Sequence, residues 1–177
     1  GVGPAQFLGL EKTARAARIA RKAMEDAHAQ GRRRLYGAAP VRVRGARIIE
    51  ADALLSAQGR PAPWPEADFI IGHPPALAAR DMRAHLGDAY VDALWAARQG
   101  RFRSVELQAL WWDRAAAILA RPGARLRRFG FLTSPAIAHL PSRRMLERRL
   151  KGAAPIRLVF AVPDHPWTEE ARLALTV

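Results

Sequence analysis

The sequence predicts an α/β domain, and three observations carry that prediction. Short apolar runs alternate with longer segments of helical period, the habit of a sheet flanked by helices. The chain has 177 residues, half of them apolar, which is enough to build one core. No internal repeat and no long linker divides it, so residues 1–177 read as a single domain.

Gln6 to Glu11 reads as a buried strand that ends on an acid. Thr13 is placed to cap the helix that follows, which is expected to run to about Gln30 and break at Gly31. Its residues Ala16, Ile19, Ala20, Ala23 and Ala27 recur at three and four, so that stripe is expected to face the core. Arg47 to Glu50 is a second strand, closed by Ala51-Asp52-Ala53, and the Gly- and Pro-rich stretch from Gln58 to Pro65 is loop. Asp68 to Gly72 is a third strand, stopped by His73-Pro74-Pro75. Helices follow from about Asp88 to Arg98 and from about Val105 to Ala120, the second terminated by Pro122 and Gly123. Phe129 to Thr133 is a fourth strand, and Ser142 to Lys151 a short basic helix. Ile156 to Val162 and Arg172 to Val177 are the last strands. The turn around Pro163 to Trp167 between them is too short for a helical crossover, so they should run antiparallel.

Composition excludes several chemistries. Cysteine is absent, so disulfides, thiolate zinc sites and a cysteine nucleophile are ruled out. The five histidines are scattered without metal-ligand spacing, so no metal is expected. No stretch approaches the roughly 18 apolar residues of a membrane span, and no signal peptide opens the chain. These features predict a cytoplasmic protein without a membrane partner. The net charge of +13, from 29 Lys and Arg against 16 Asp and Glu, suits a polyanion such as DNA. Only Lys12, Lys22 and Lys151 are lysines, and the Ala-Arg-Gly-Pro bias of a GC-rich genome would produce the same excess.

Ligands of open α/β sheets bind at the carboxyl ends of the strands. Three such ends carry distinctive residues: Glu11, Asp52 and the group Gly72-His73-Pro74-Pro75. An acid that ends a strand before a helix can accept both hydroxyls of a ribose, and a second acid one strand later can accept from an adenine amino group. Taken alone, each reads more readily as a solvated loop carboxylate or a helix cap. Taken in order, and followed by Pro74-Pro75, they favour a nucleoside.

These residues resemble a known family. Phe7-Leu8-Gly9-Leu10-Glu11 before a basic helix looks like the ribose-binding strand of class I S-adenosylmethionine-dependent methyltransferases, and Glu50-Ala51-Asp52-Ala53-Leu54-Leu55 like their adenine-binding loop. Asp68-Phe69-Ile70-Ile71-Gly72-His73-Pro74-Pro75 looks like the strand and catalytic loop of adenine-N6 DNA methyltransferases, which reads Asn-Pro-Pro-Phe or Asn-Pro-Pro-Tyr. Leu86 to Trp95, Trp111 to Ala115, Phe129 to Thr133 and Pro163 to Trp167 resemble the MmeI-like enzymes that fuse restriction and modification. The resemblance implies a Rossmann-like sheet, mostly parallel with an antiparallel C-terminal strand. It implies S-adenosylmethionine as cofactor, held by Glu11 and Asp52, and DNA as partner. The catalytic loop would be His73, Pro74, Pro75 and Ala76. In the family the target adenine is flipped into a pocket, and the loop orients its amino nitrogen toward the methyl group.

The sequence departs from that pattern at decisive places. His73 stands at the Asn position, and Ala76 at the position of the stacking aromatic. After Thr133 the chain runs Ser134-Pro135 where the family has Asn. Only six residues precede Phe7, so the glycine-rich cofactor loop and the first, central strand are missing. The sheet must then close up or remain gapped. The expectation is a truncated, inactive fragment of a restriction–modification methyltransferase. The alternative is a non-catalytic DNA- or RNA-binding module on the same scaffold, carried by Arg143, Arg144, Arg148, Arg149 and Lys151, although such a basic run is more often a solvated helix face.

Overall fold

In the computed structural model, which describes residues 3–37, 45–166 and 172–176, the chain is a mixed α/β protein. It divides into two units, Gly1–Gln58 with Ala62–Pro65, and Gly59–Pro61 with Glu66–Val177.

The first unit is built on two parallel strands, β1 (Leu8–Glu11) and β2 (Arg47–Glu50), paired from Leu8↔Arg47 to Glu11↔Glu50. Pro4–Gln6 is a 3-10 turn, so β1 starts two residues later than the sequence suggests. Between the strands lies helix α1 (Ala14–Tyr36), whose first turn is capped by Thr13 Oγ1, which accepts from the Ala16 N–H at 3.2 Å. α1 passes through Gly31 and ends at Gly37, whose φ of 60° supplies the left-handed turn a helix end favours. A single interior glycine costs about 1 kcal/mol relative to alanine, which weakens a helix without breaking it.

The buried stripe of α1 also differs from the expected one. Ala17 is buried, and Ala16, Ala20, Met24 and His28 are half-buried, whereas Ile19 is 57% exposed and Ala23 and Ala27 lie in solvent. Alanines occupy so much of the helix that its faces differ little in apolarity, so periodicity places Ala16 and Ala20 correctly and turns the rest of the stripe toward solvent. Arg21 adds a tie to the strands by donating to the Ile48 carbonyl at 3.0 Å.

The second unit holds four strands in the order β3-β4-β6-β5: β3 (Phe69–Gly72), β4 (Arg128–Thr133), β5 (Ala161–Pro166) and β6 (Arg172–Thr176). β3 and β4 are parallel, and β6 is antiparallel to both β4 and β5. The last two strands are therefore antiparallel, as their spacing requires. β5 lies later than expected: residues 156–160 carry exposed Leu158, Val159 and Phe160, and pairing begins only at Ala161. An apolar, β-prone run needs a partner strand, and here the ladder reaches back no further than Ala161↔Thr176. The expected turn at Pro163 to Trp167 begins inside β5, and its remainder lies outside the described residues.

Helices α2 (Met82–Leu86), α3 (Asp88–Ala96), α4 (Leu107–Leu119) and α5 (Leu140–Lys151) complete this unit. The sequence pattern did not reveal α2. It is clasped to α3 by Arg83, which donates to Asp88 at 2.6 Å and Asp92 at 2.7 Å and lies 4.8 Å over the Trp95 ring. The core gathers under β4, where Phe129, Phe131 and Thr133 alternate inward. Trp112 of α4 meets Phe129 edge-on at 5.3 Å, and Phe131 follows at 5.7 Å. On the other face of the sheet Phe69 is 63% and Ile71 79% exposed.

β1 pairs only with β2 and β3 only with β4, so the described strands form two separate sheets rather than one closed sheet. Among the described residues no helix is long and apolar enough to cross a membrane, and no group of three or more His, Asp or Glu could hold a metal ion.

Candidate nucleoside site at the strand carboxyl ends

Parallel pairing brings Glu11 and Glu50 directly opposite each other at the carboxyl end of the first sheet, and the chain continues from Glu50 with the Ala51 N–H donating to the Glu11 carbonyl at 2.8 Å. Asp52 follows at the same edge. Its Oδ1 accepts from the Leu54 and Leu55 amides at 2.7 and 3.0 Å, and its Oδ2 pairs with Lys12 Nζ at 3.0 Å. The structure therefore joins the segment after β1 to the loop after β2 through one carboxylate. Asp52 also acts as the loop's own cap, the plainer of the two roles its position allows. Trp64 closes the loop from behind, donating its indole N–H to the Ala53 carbonyl at 2.7 Å.

Sequence reasoning overlooked Glu50 and Lys12 as site residues. A parallel register that ends on Glu in both strands is the signal that would have found the first. A lysine directly after a strand-terminal acid, facing a second acidic loop, is the signal for the other.

His73, Pro74, Pro75 and Ala76 leave the carboxyl end of β3 in the second unit. Pro74 is buried, while His73, Pro75 and Ala76 are exposed. Burying the first proline anchors the loop, and the backbone bond from Leu107 N–H to the Leu77 carbonyl at 2.9 Å ties its far end to the start of α4. Ala76 presents one methyl group where stacking on a base would need a ring.

Beside this loop lies a polar cluster that sequence reasoning did not identify. Gln108 is wholly buried. Its amide nitrogen donates to Glu106 Oε2 at 2.6 Å and reaches Ser134 Oγ at 2.7 Å, while its oxygen accepts from the Ser134 N–H at 2.9 Å. Ser134 Oγ in turn donates to Glu106 Oε2 at 3.2 Å. The start of α4 is thereby bolted to the carboxyl end of β4, and a buried amide fully used in this way fixes loop geometry. No periodicity marks such a residue, since Gln in the first turn of a helix is usually solvated.

Of the five basic residues assigned to nucleic acid, two are engaged within the protein. Arg143 pairs with Glu147 at 3.0 Å, and Arg149 pairs at 2.7 Å with Asp113, whose side chain is only 14% exposed. Arg144, Arg148 and Lys151 face solvent.

No protein-family model, no curated protein and no solved structure matches the chain.

Proposed function

We propose that this chain is a class I methyltransferase scaffold of the adenine-N6 DNA type, with an adenosine-facing carboxyl edge and a catalytic loop that has lost its chemistry. The observation that carries the reading is the strand arrangement. Parallel β3 and β4 are followed by an antiparallel C-terminal strand, and a separate parallel pair ends on Glu11 and the Asp52 loop.

The residues fit S-adenosylmethionine by half. Glu11 and the adjacent Glu50 offer carboxylate oxygens to ribose hydroxyls, and Asp52 offers an acceptor to adenine once Lys12 yields Oδ2. Nothing comparable serves the methionine half. Gly3 is the cap of a turn closed by its own bond to Gln6 Oε1 at 2.7 Å, and among the described residues no glycine-rich turn joins a strand to a helix. His73 and Ala76 weaken the other side of the reaction. Losing one preorganised hydrogen bond to the reacting group typically costs about 10²–10³ in rate, and losing a stacking ring about 1–3 kcal/mol per base.

Saturation-transfer NMR with adenosine, together with radiolabelled S-adenosylmethionine transfer to duplex DNA, tests both parts. Adenosine binding is expected in the native chain and in His73→Ala, and is expected to disappear in Glu11→Ala. No methyl incorporation is expected from the native chain or from the His73→Asn, Ala76→Phe double variant. Binding indifferent to Glu11→Ala, or no binding, overturns the nucleoside reading. Incorporation by either protein overturns the claim of lost chemistry.

A further inference from the structure

α5 follows β4, and β4 and β5 run the same way because each is antiparallel to β6. The chain must therefore return from the carboxyl edge of the sheet toward its amino edge between them, and α5 carries that return. Two interactions fix its position. Ser142 stands beside the Glu106 N–H at 3.5 Å and Arg149 pairs with Asp113, each across 36 residues, so α4 and α5 lie side by side and parallel in constant register. Arg144, Arg148 and Lys151 recur at four and three on the outer face of α5. At about 1.5 Å per residue they form a ridge about 10.5 Å long that leads away from the carboxyl edge.

With Glu147 and Gly152 these three residues line an open groove of about 450 Å³. Glu147, the groove's acid, is already neutralised by Arg143. Among the described residues no carboxylate is in ion-pair range of Arg144, Arg148 or Lys151. Gly152 closes the helix at the groove's end, where a Cβ would lie 2.7 Å from the Arg148 carbonyl oxygen. A helix C-terminus carries roughly half a negative charge, which one cation suffices to balance. Arg148 and Lys151 exceed that requirement, and Arg144 lies too far back to serve it.

We propose that this ridge binds the sugar–phosphate backbone of nucleic acid without reading its sequence. A single strand presents one charge per roughly 3.4 Å of duplex axis, so a row of three cations about 10.5 Å long spans about three phosphate intervals, enough for each cation to meet a separate phosphate. Arginine suits this role because its planar guanidinium presents paired donors to phosphate oxygens. The surface is separate from the nucleoside site and does not depend on it.

Fluorescence anisotropy of the full chain with labelled duplex DNA, recorded over a series of salt concentrations, tests the proposal. Removing one cation that neutralises a phosphate should lower the slope of log K against log salt by about 0.9. The triple variant Arg144→Ala, Arg148→Ala, Lys151→Ala is therefore expected to lower it by between two and three units. A charge-matched control, Arg15→Ala, Arg18→Ala, Arg33→Ala on α1, should lower it distinctly less. Equal reductions in the two triple variants would mean that net charge alone drives binding and would overturn the proposal. So would binding of phosphatidylserine vesicles through the same residues with no binding of DNA. Circular dichroism of each variant distinguishes weakened binding from unfolding.

Discussion

The two parallel strand pairs are alike in backbone and unlike in what supports them. β1–β2 and β3–β4 each pair over four residues, and each ends on a loop of distinctive chemistry. Beneath β3–β4 lies a core of Trp112, Phe129, Phe131, Leu110 and Leu94. Among the described residues, the buried apolar side chains of the first unit are Pro4, Ala17, Ala46, Leu54, Leu55 and Ala62. A buried Leu or Phe contributes about 1.5–3 kcal/mol, and an alanine much less. The first unit therefore relies more heavily on polar ties such as Asp52, and the second on packing. Equal strand pairing does not imply equal stability.

The strongest way to break this comparison is Trp112→Ala. It should destabilise the second unit by about 3–5 kcal/mol, since the large cavity under Phe129 cannot refill. Hydrogen exchange should record the loss in β3, β4 and α4 while amides of the first unit keep their protection. A uniform loss across both units would show that they unfold as one body.

Asp52→Ala probes the other side, at a smaller cost of about 1.5–3 kcal/mol for removing a charged acceptor from two amides. Faster exchange at Leu54 and Leu55 is the readout, and Asp52→Asn, which keeps the accepting oxygen, should recover most of the loss. If Asp52→Ala leaves those amides protected, packing rather than the carboxylate holds the loop.

The smallest effect is expected at the exposed entrance to β3. The Arg125 guanidinium, 2.8 Å from Asp68, holds that carboxyl below its ordinary value of 3.8. Because the folded value is depressed, the pair stabilises fully above about pH 4 and the gain disappears as pH falls through the folded value. Both side chains are largely exposed, so salt will screen the interaction. A carboxyl NMR titration should show the Asp68 midpoint rising toward 3.8 in Arg125→Ala; an unchanged midpoint would remove this pair from the comparison.

The elements that were legible in the sequence are those set by strong local signals. Thr13 marks the start of α1, Pro74-Pro75 closes β3, and the tight spacing of the last two strands requires their antiparallel pairing. The end of α1 was misread because a tolerated glycine resembles a terminating one, and its buried face because alanine is nearly neutral between core and water. β5 was misplaced because residues 156–162 have strand propensity, whereas pairing depends on what β6 offers across the sheet. At the site, Glu11 and Asp52 were visible as strand-terminal acids. Gln108, Ser134 and Glu106 were not, because their association depends on a fold that brings together residues 26 and 28 positions apart. The two engaged arginines were indistinguishable by sequence from the three exposed basic residues, since their carboxylate partners lie in other turns or another helix.

The Gln108 cluster also constrains the order in which this protein can drift. Gln108 must donate to Glu106 and accept from the Ser134 N–H at once. Changing Gln108 to Glu first would set two carboxyl groups about 2.6 Å apart, and one of them would have to take up a proton to bridge them. Changing Glu106 to Gln first keeps an accepting oxygen for the Gln108 amide, after which Gln108 can become Glu and receive a hydrogen bond from the new amide. The exchanged pair is chemically equivalent to the present one, and the step through glutamine at both positions is the one that needs no added proton. A lineage that carries the exchange should therefore descend through an intermediate with glutamine at both positions.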